Sequence, residues 1–138
     1  MTLDVEVVRR RCAEIAESHD RLQRIREGGR EVFLADGDTR DIACYRLLLA
    51  IEAALALCYH VSARHLRQVP EDYAGCFAGL ARAGVIPEVL SWRLQQMAKF
   101  RNLLVHVYWE VDYGRVFDAI EADLDDLTEF SRTIAALA

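Results

Sequence analysis

Apolar side chains return every third or fourth residue along almost the whole chain, and no long stretch alternates strictly by two. That period belongs to helices with one buried face and is incompatible with a sheet as the main framework. The expected fold is therefore all-α, a compact helical bundle of about five helices. At 138 residues with two prolines and seven glycines, the chain is long enough to bury one core and too short for two. Residues 1–138 are read as a single domain.

A first helix is expected over about Leu3–Arg26, with Val8, Cys12, Ile15, His19, Leu22 and Ile25 on one stripe and Gly28–Gly29 as its stop. A connection through Phe33 and Asp36–Gly37 leads to a second helix. Asp38 is its expected cap, with Asp41 three residues on, and it runs to about Leu66. Leu47, Leu48, Leu49, Ile51, Ala54, Leu55, Leu57, Cys58 and Val61 surround this second helix, which places it centrally between neighbours. A shorter helix over about Tyr73–Ala83 ends at Gly84. Pro87 suits the first turn of a fourth helix reaching Tyr108 or Trp109, with Met97, Phe100, Leu104, Val107 and Val111 on its core side. Asp112 caps a fifth helix carrying Val116, Ile120, Leu124, Leu127, Phe130, Ile134 and Leu137. Glu121, Asp123, Asp125, Asp126 and Glu129 are read as its solvated face.

Charge narrows the function classes. The formal net charge is −5, and residues 110–138 hold two basic against eight acidic side chains. Non-specific nucleic-acid binding over the whole surface is disfavoured, because it depends on basic side chains releasing phosphate counterions. A local phosphate site is not. The basic residues are sixteen Arg and one Lys, a bias suited to forked phosphate contacts. Cys12, Cys44, Cys58 and Cys76 form no CxxC pair and are expected as reduced core thiols rather than zinc ligands. Asp4 and Glu6 stand where an export signal would be basic. Glu52 splits the longest apolar runs, Leu47–Ile51 and Ala53–Tyr59, well short of a bilayer span. A soluble cytoplasmic protein, away from membranes, is the expectation.

There is no glycine-rich phosphate loop, no HExxH, no nucleophile elbow and no aspartate-rich calcium loop. The unusual segment is KFRNLLVHVYW, Lys99–Trp109, near the end of the fourth helix. Arg101 and Tyr108 are seven apart and share a helical face within roughly 20°. Arg101 and His106 diverge by about 140°, so one regular helix does not hold them in contact; either their side chains border one groove or the helix deforms. Asn102 and His106, four apart, are neighbours.

This segment resembles the motif of the HEPN ribonucleases, an Arg followed by four residues and a His. More narrowly, it is similar to the HepT-type toxins, in which a Tyr follows one residue after the His. The matching positions are Arg101, His106 and Tyr108, with Asn102 at the polar position after the Arg. The likeness extends to Phe33–Arg40, to Tyr73 through the Gly84–Ile86 turn, and to the acidic last helix.

The resemblance implies an HEPN-like homodimer with two motifs in an intersubunit cleft, and metal-independent RNA cleavage with no cofactor. It also implies a partner antitoxin, a minimal nucleotidyltransferase that in some members adenylylates the Tyr of the motif, here Tyr108. Under it, Arg101 and His106 are the catalytic candidates, and Asn102 and Tyr108 position the substrate. RNA supplies its own 2′-hydroxyl nucleophile, so no protein Ser or Cys is needed, and DNA should resist. The substrate, tRNA or mRNA, is left open. The competing readings are a non-catalytic helical module that binds a nucleotidyltransferase and a purely structural dimerisation protein.

Overall fold

The computed structural model describes residues 2–106 and 111–138, except for the His106 side chain. Six helices fill it: α1 (Val5–Gly28), α2 (Arg30–Ala35), α3 (Gly37–Arg64), α4 (Tyr73–Arg82), α5 (Glu88–His106) and α6 (Tyr113–Leu137). The all-α expectation holds, with one helix more than the periodicity gave.

The extra helix is α2, in the segment expected as a connection. Six residues complete fewer than two turns, too few for a period to show. It forms because Gly29, at φ 91°, turns the chain out of α1 and directly into a new helix, a conformation that side chains beyond glycine rarely adopt. The turn drives Phe33 into the core at 1% exposure, against the rings of Phe117 at 5.3 Å and Tyr113 at 6.5 Å. Arg30 then ties α2 to the start of α6. It donates to the Gly114 carbonyl at 3.2 Å, pairs with Asp118 and Glu121, and lies over the Phe117 ring.

The cap of α3 is also corrected, from Asp38 to Asp36. The Asp36 carboxylate accepts from the Asp38 amide at 3.2 Å and from the Thr39 hydroxyl at 2.7 Å, so the helix starts one residue after it. The Thr39 hydrogen bond, with the Asp38 amide behind it, holds the Asp36 carboxyl below the usual carboxylate range. Asp36→Ala is expected to lower the thermal midpoint more than Asp38→Ala does, in paired melts of the two variants.

α3 is the central helix. Leu47, Ile51, Ala54, Leu57, Cys58 and Val61 are shut off from solvent, and every other helix packs against it. By length and composition α3 would cross a bilayer, but here its apolar surface is spent on the protein core. Contrary to the expectation of reduced thiols, Cys58 of α3 and Cys76 of α4 form a disulfide, their Cα atoms 6.2 Å apart, because the two helices pack with both side chains buried at one contact. Cys12 and Cys44 are free. His60 of α3 is half-buried, with Nε2 accepting from the Asp4 amide at 3.0 Å. His65 caps the end of α3.

Asp112 caps α6 through the Arg115 amide at 3.3 Å, and the expected stripe is buried from Val116 to Ile134, but Leu137, on the last turn, is exposed. The acidic face of α6 is less solvated than its composition suggests. Asp126 is 6% exposed and sits 3.4 Å from Arg93 of α5, while Asp123 is half-buried beside it. The flank carrying these two residues is the one that α5 covers. Burial, reinforced by the Asp126 charge, pushes the Asp123 carboxyl up to about 7.

An acid that releases its proton near 4 when unfolded and near 7 when folded makes the folded state bind more protons across that window, so stability falls as pH rises through it. Asp123→Asn is expected to flatten this fall. It should unfold at higher denaturant than wild type above neutral pH, read from urea midpoints measured between pH 5 and 8.

Candidate active site

The motif residues sit at the end of α5, and the packing of that helix decides which way they point. Leu90, Leu94, Met97 and Ala98 are buried on its inner side. Arg101 lies seven residues after Leu94 and three after Ala98, so it continues the buried face at the edge of the bundle, its side chain 20% exposed. Asn102, one residue on, is exposed. The helix runs unbroken to the backbone of His106; the His106 side chain, Val107 and Tyr108 lie outside the described residues.

Arg101 is held on three sides. Its Nε donates to a carboxylate oxygen of Glu52 on α3, and its Nη1 donates to the Asn102 side-chain oxygen at 3.3 Å. The guanidinium carbon lies 5.4 Å from the centre of the Tyr73 ring, a cation–π contact. Tyr73 is the first residue of α4, fixed there because Asp72 caps the helix through the Gly75 amide at 2.6 Å. The Tyr73 ring stands edge-on to Tyr59 of α3 at 5.7 Å. Burial, with smaller contributions from Tyr73 and Asp72, pushes the Tyr59 phenol above its ordinary value. The α4–α5 turn completes the frame. Gly84 takes φ 78°, Pro87 accepts the first α5 hydrogen bond from Ser91, and the Ser91 hydroxyl donates back to the Phe77 carbonyl at 3.0 Å.

Of the expected site residues, Arg101 and Asn102 are in contact with each other. Glu52 and Tyr73 enter the site without having been singled out for it. Tyr73 appeared in the sequence as a helix start and at the edge of the segment that carries the family likeness, not as a site residue. Glu52 carried a usable signal: it is the only charged side chain between Arg46 and Arg64. A lone carboxylate in such a run points to a partner from another element, and Arg101 pairs with it. Chemically, the cluster presents one guanidinium with its plane fixed, suited to an oxyanion such as a phosphate. Among the described residues no three His, Cys, Asp or Glu side chains converge as a metal would require.

The chain matches the family described as ribonuclease HepT-like over residues 15–134. It is 25% identical over 131 residues to the mRNA nuclease HepT of Shewanella oneidensis, covering 95% of this chain and 98% of that protein. A solved structure of the tri-AMPylated Shewanella oneidensis HEPN toxin in complex with MNT antitoxin superposes with a TM-score of 0.85 at 25% identity, over 94% of this chain and 97% of that one. A toxin–antitoxin structure with AMP-PNP gives a TM-score of 0.82 at 24% identity, over 93% and 97%. With the family match spanning residues 15–134 and the same bundle in its solved relatives, the chain belongs to the ribonuclease HepT-like family and has the HEPN fold.

Proposed function

We propose that this protein is a metal-independent endoribonuclease toxin, active as a cytoplasmic homodimer and silenced by a minimal nucleotidyltransferase antitoxin. The observation that carries the reading is Arg101, the first residue of the motif, held by Glu52 and Tyr73 with guanidinium hydrogens that no other described residue takes. Membership of the HepT-like family supplies the reaction class.

In the proposed reaction His106 takes the proton of the RNA 2′-hydroxyl, and the 2′-oxygen attacks the adjacent phosphorus. Imidazole suits this role because it exchanges a proton near neutral pH. Charge building on the phosphate oxygens in the pentavalent transition state is met by Arg101. The bond from phosphorus to the 5′-oxygen breaks, and His106 of the second protomer gives that oxygen a proton. The products are a 2′,3′-cyclic phosphate and a 5′-hydroxyl. Asn102 steadies the Arg101 guanidinium, and Tyr108 positions RNA and is the acceptor of AMP. An acidic protein with one confined cationic site fits a selected tRNA or mRNA better than indiscriminate RNA degradation.

The test is cleavage of labelled tRNA and mRNA in EDTA by protein shown by intact mass to carry no AMP. Cyclic-phosphate ends are expected, with no cutting of DNA or of RNA carrying a single 2′-deoxy substitution at the cleavage site. Failure to cut either RNA pool, with antitoxin binding intact, would replace this reading with that of a non-catalytic module for the nucleotidyltransferase.

A further inference from the structure

Glu52 is an odd residue to find where it is. Its neighbours Ile51 and Ala53 are buried, and it is the one charge between the apolar runs Leu47–Ile51 and Ala53–Tyr59. Its partner comes from 49 residues away in sequence, across the junction of α3 and α5. The Glu52 side chain is 41% exposed and that of Arg101 20%, so the pair is open enough to contribute little to folding stability. Stability alone is therefore a poor account of the arrangement.

The geometry of the guanidinium gives a better one. Arginine has five N–H donors in a rigid plane. Glu52 takes the Nε hydrogen, Asn102 takes one from Nη1, and Tyr73 lies against the face. Among the described residues nothing else takes the Nη2 hydrogens or the second on Nη1, and these two nitrogens form the end of the fork that grips two oxygens of a phosphate. Without Glu52 the long Arg101 side chain would sample several rotamers, and the fork would meet the phosphate only part of the time.

We infer that Glu52, with Tyr73 behind the guanidinium, is a positioning residue that locks Arg101 with its terminal nitrogens facing the RNA phosphate. Glu52 acts on the reaction only through Arg101. This rests on the ribonuclease reading for its consequence, but the lock itself is a property of the free protein.

Two readouts test it. In single-site kinetics on an RNA that the wild type cuts, Glu52→Ala is expected to lower kcat by about tenfold to a hundredfold with little change in KM, as misplacement of a transition-state contact does. Glu52→Gln, whose amide oxygen still accepts from Nε, should recover most of that loss. Alanine is the best helix former, so the melting temperature should stay near wild type. The Glu52→Ala/Arg101→Ala double variant should cut no more slowly than Arg101→Ala alone, because the effect passes through one residue.

The second readout needs no activity: the Arg101 Nε proton, assigned by its disappearance in Arg101→Lys, should be shifted downfield and slow to exchange in wild type and should lose both features in Glu52→Ala. An unchanged Nε signal in Glu52→Ala overturns the inference, as does a double variant that multiplies the two losses. If wild-type protein free of AMP cuts no RNA, the ribonuclease reading fails, and the Nε signal still decides whether Glu52 holds Arg101.

Discussion

His106→Ala is expected to lower RNA cleavage by about three orders of magnitude, and Arg101→Ala by about two to three. In the proposed mechanism the first removes the group that accepts the 2′-hydroxyl proton, and the second the charge facing the developing oxyanion. A thousandfold loss corresponds to about 4 kcal/mol of transition-state stabilisation, more than a surface contact supplies. Folding should survive both changes. Arg101 lies at the rim of the bundle, and α5 is anchored by Leu90, Leu94, Met97 and Ala98 further back along the helix. Arg101→Lys should rescue poorly: an ammonium cannot donate sideways to Glu52, lie flat on Tyr73 and present a fork to phosphate at once. Single-turnover rates in EDTA, beside thermal melts of each variant, provide the check. Wild-type rates in folded His106→Ala would move the chemistry away from this motif.

What the sequence made legible here was whatever is written within one helix. The stripe from Val116 to Leu137 predicts the inner face of α6 because its seven positions repeat the period, and all but Leu137, at the helix end, are buried. The segment Arg30–Ala35 holds only one strong anchor, Phe33, and a single apolar residue has no period. The misread acidic face has a related origin. Asp126 precedes Phe130 by four residues and shares its flank, but whether that flank meets water depends on where α5 lies, which no spacing on α6 encodes. The site divides the same way. Arg101 and Asn102 are local and were found by their motif, whereas Glu52 and Tyr73 join them only once α3, α4 and α5 are packed. The disulfide between Cys58 and Cys76 is a third case, two buried cysteines on different helices with no distinguishing spacing.

Incubation with the cognate nucleotidyltransferase and ATP is expected to add AMP to wild-type protein and to reduce its RNA cleavage by at least about a hundredfold. In the proposed step the Tyr108 phenol oxygen attacks the α-phosphorus of ATP, pyrophosphate leaves, and the phenolic proton is released. The tyrosine then carries a phosphodiester bearing one negative charge. Tyr108 follows Arg101 by seven residues in sequence, and in the proposed mechanism that anion competes with RNA phosphate for the Arg101 guanidinium while the adenosine fills the approach. Tyr108→Phe keeps the ring but has no oxygen to modify, so its cleavage should no longer be silenced by antitoxin and ATP. Intact mass and residual cleavage, measured on the same samples, link modification to inhibition. Replacing ATP with α,β-methylene ATP separates the covalent effect from simple occlusion, since its α–β linkage does not break. Mass and activity should then both stay at the unmodified level. Full inhibition under those conditions would assign silencing to antitoxin docking, and AMP found on Tyr108→Phe would assign the acceptor to another residue.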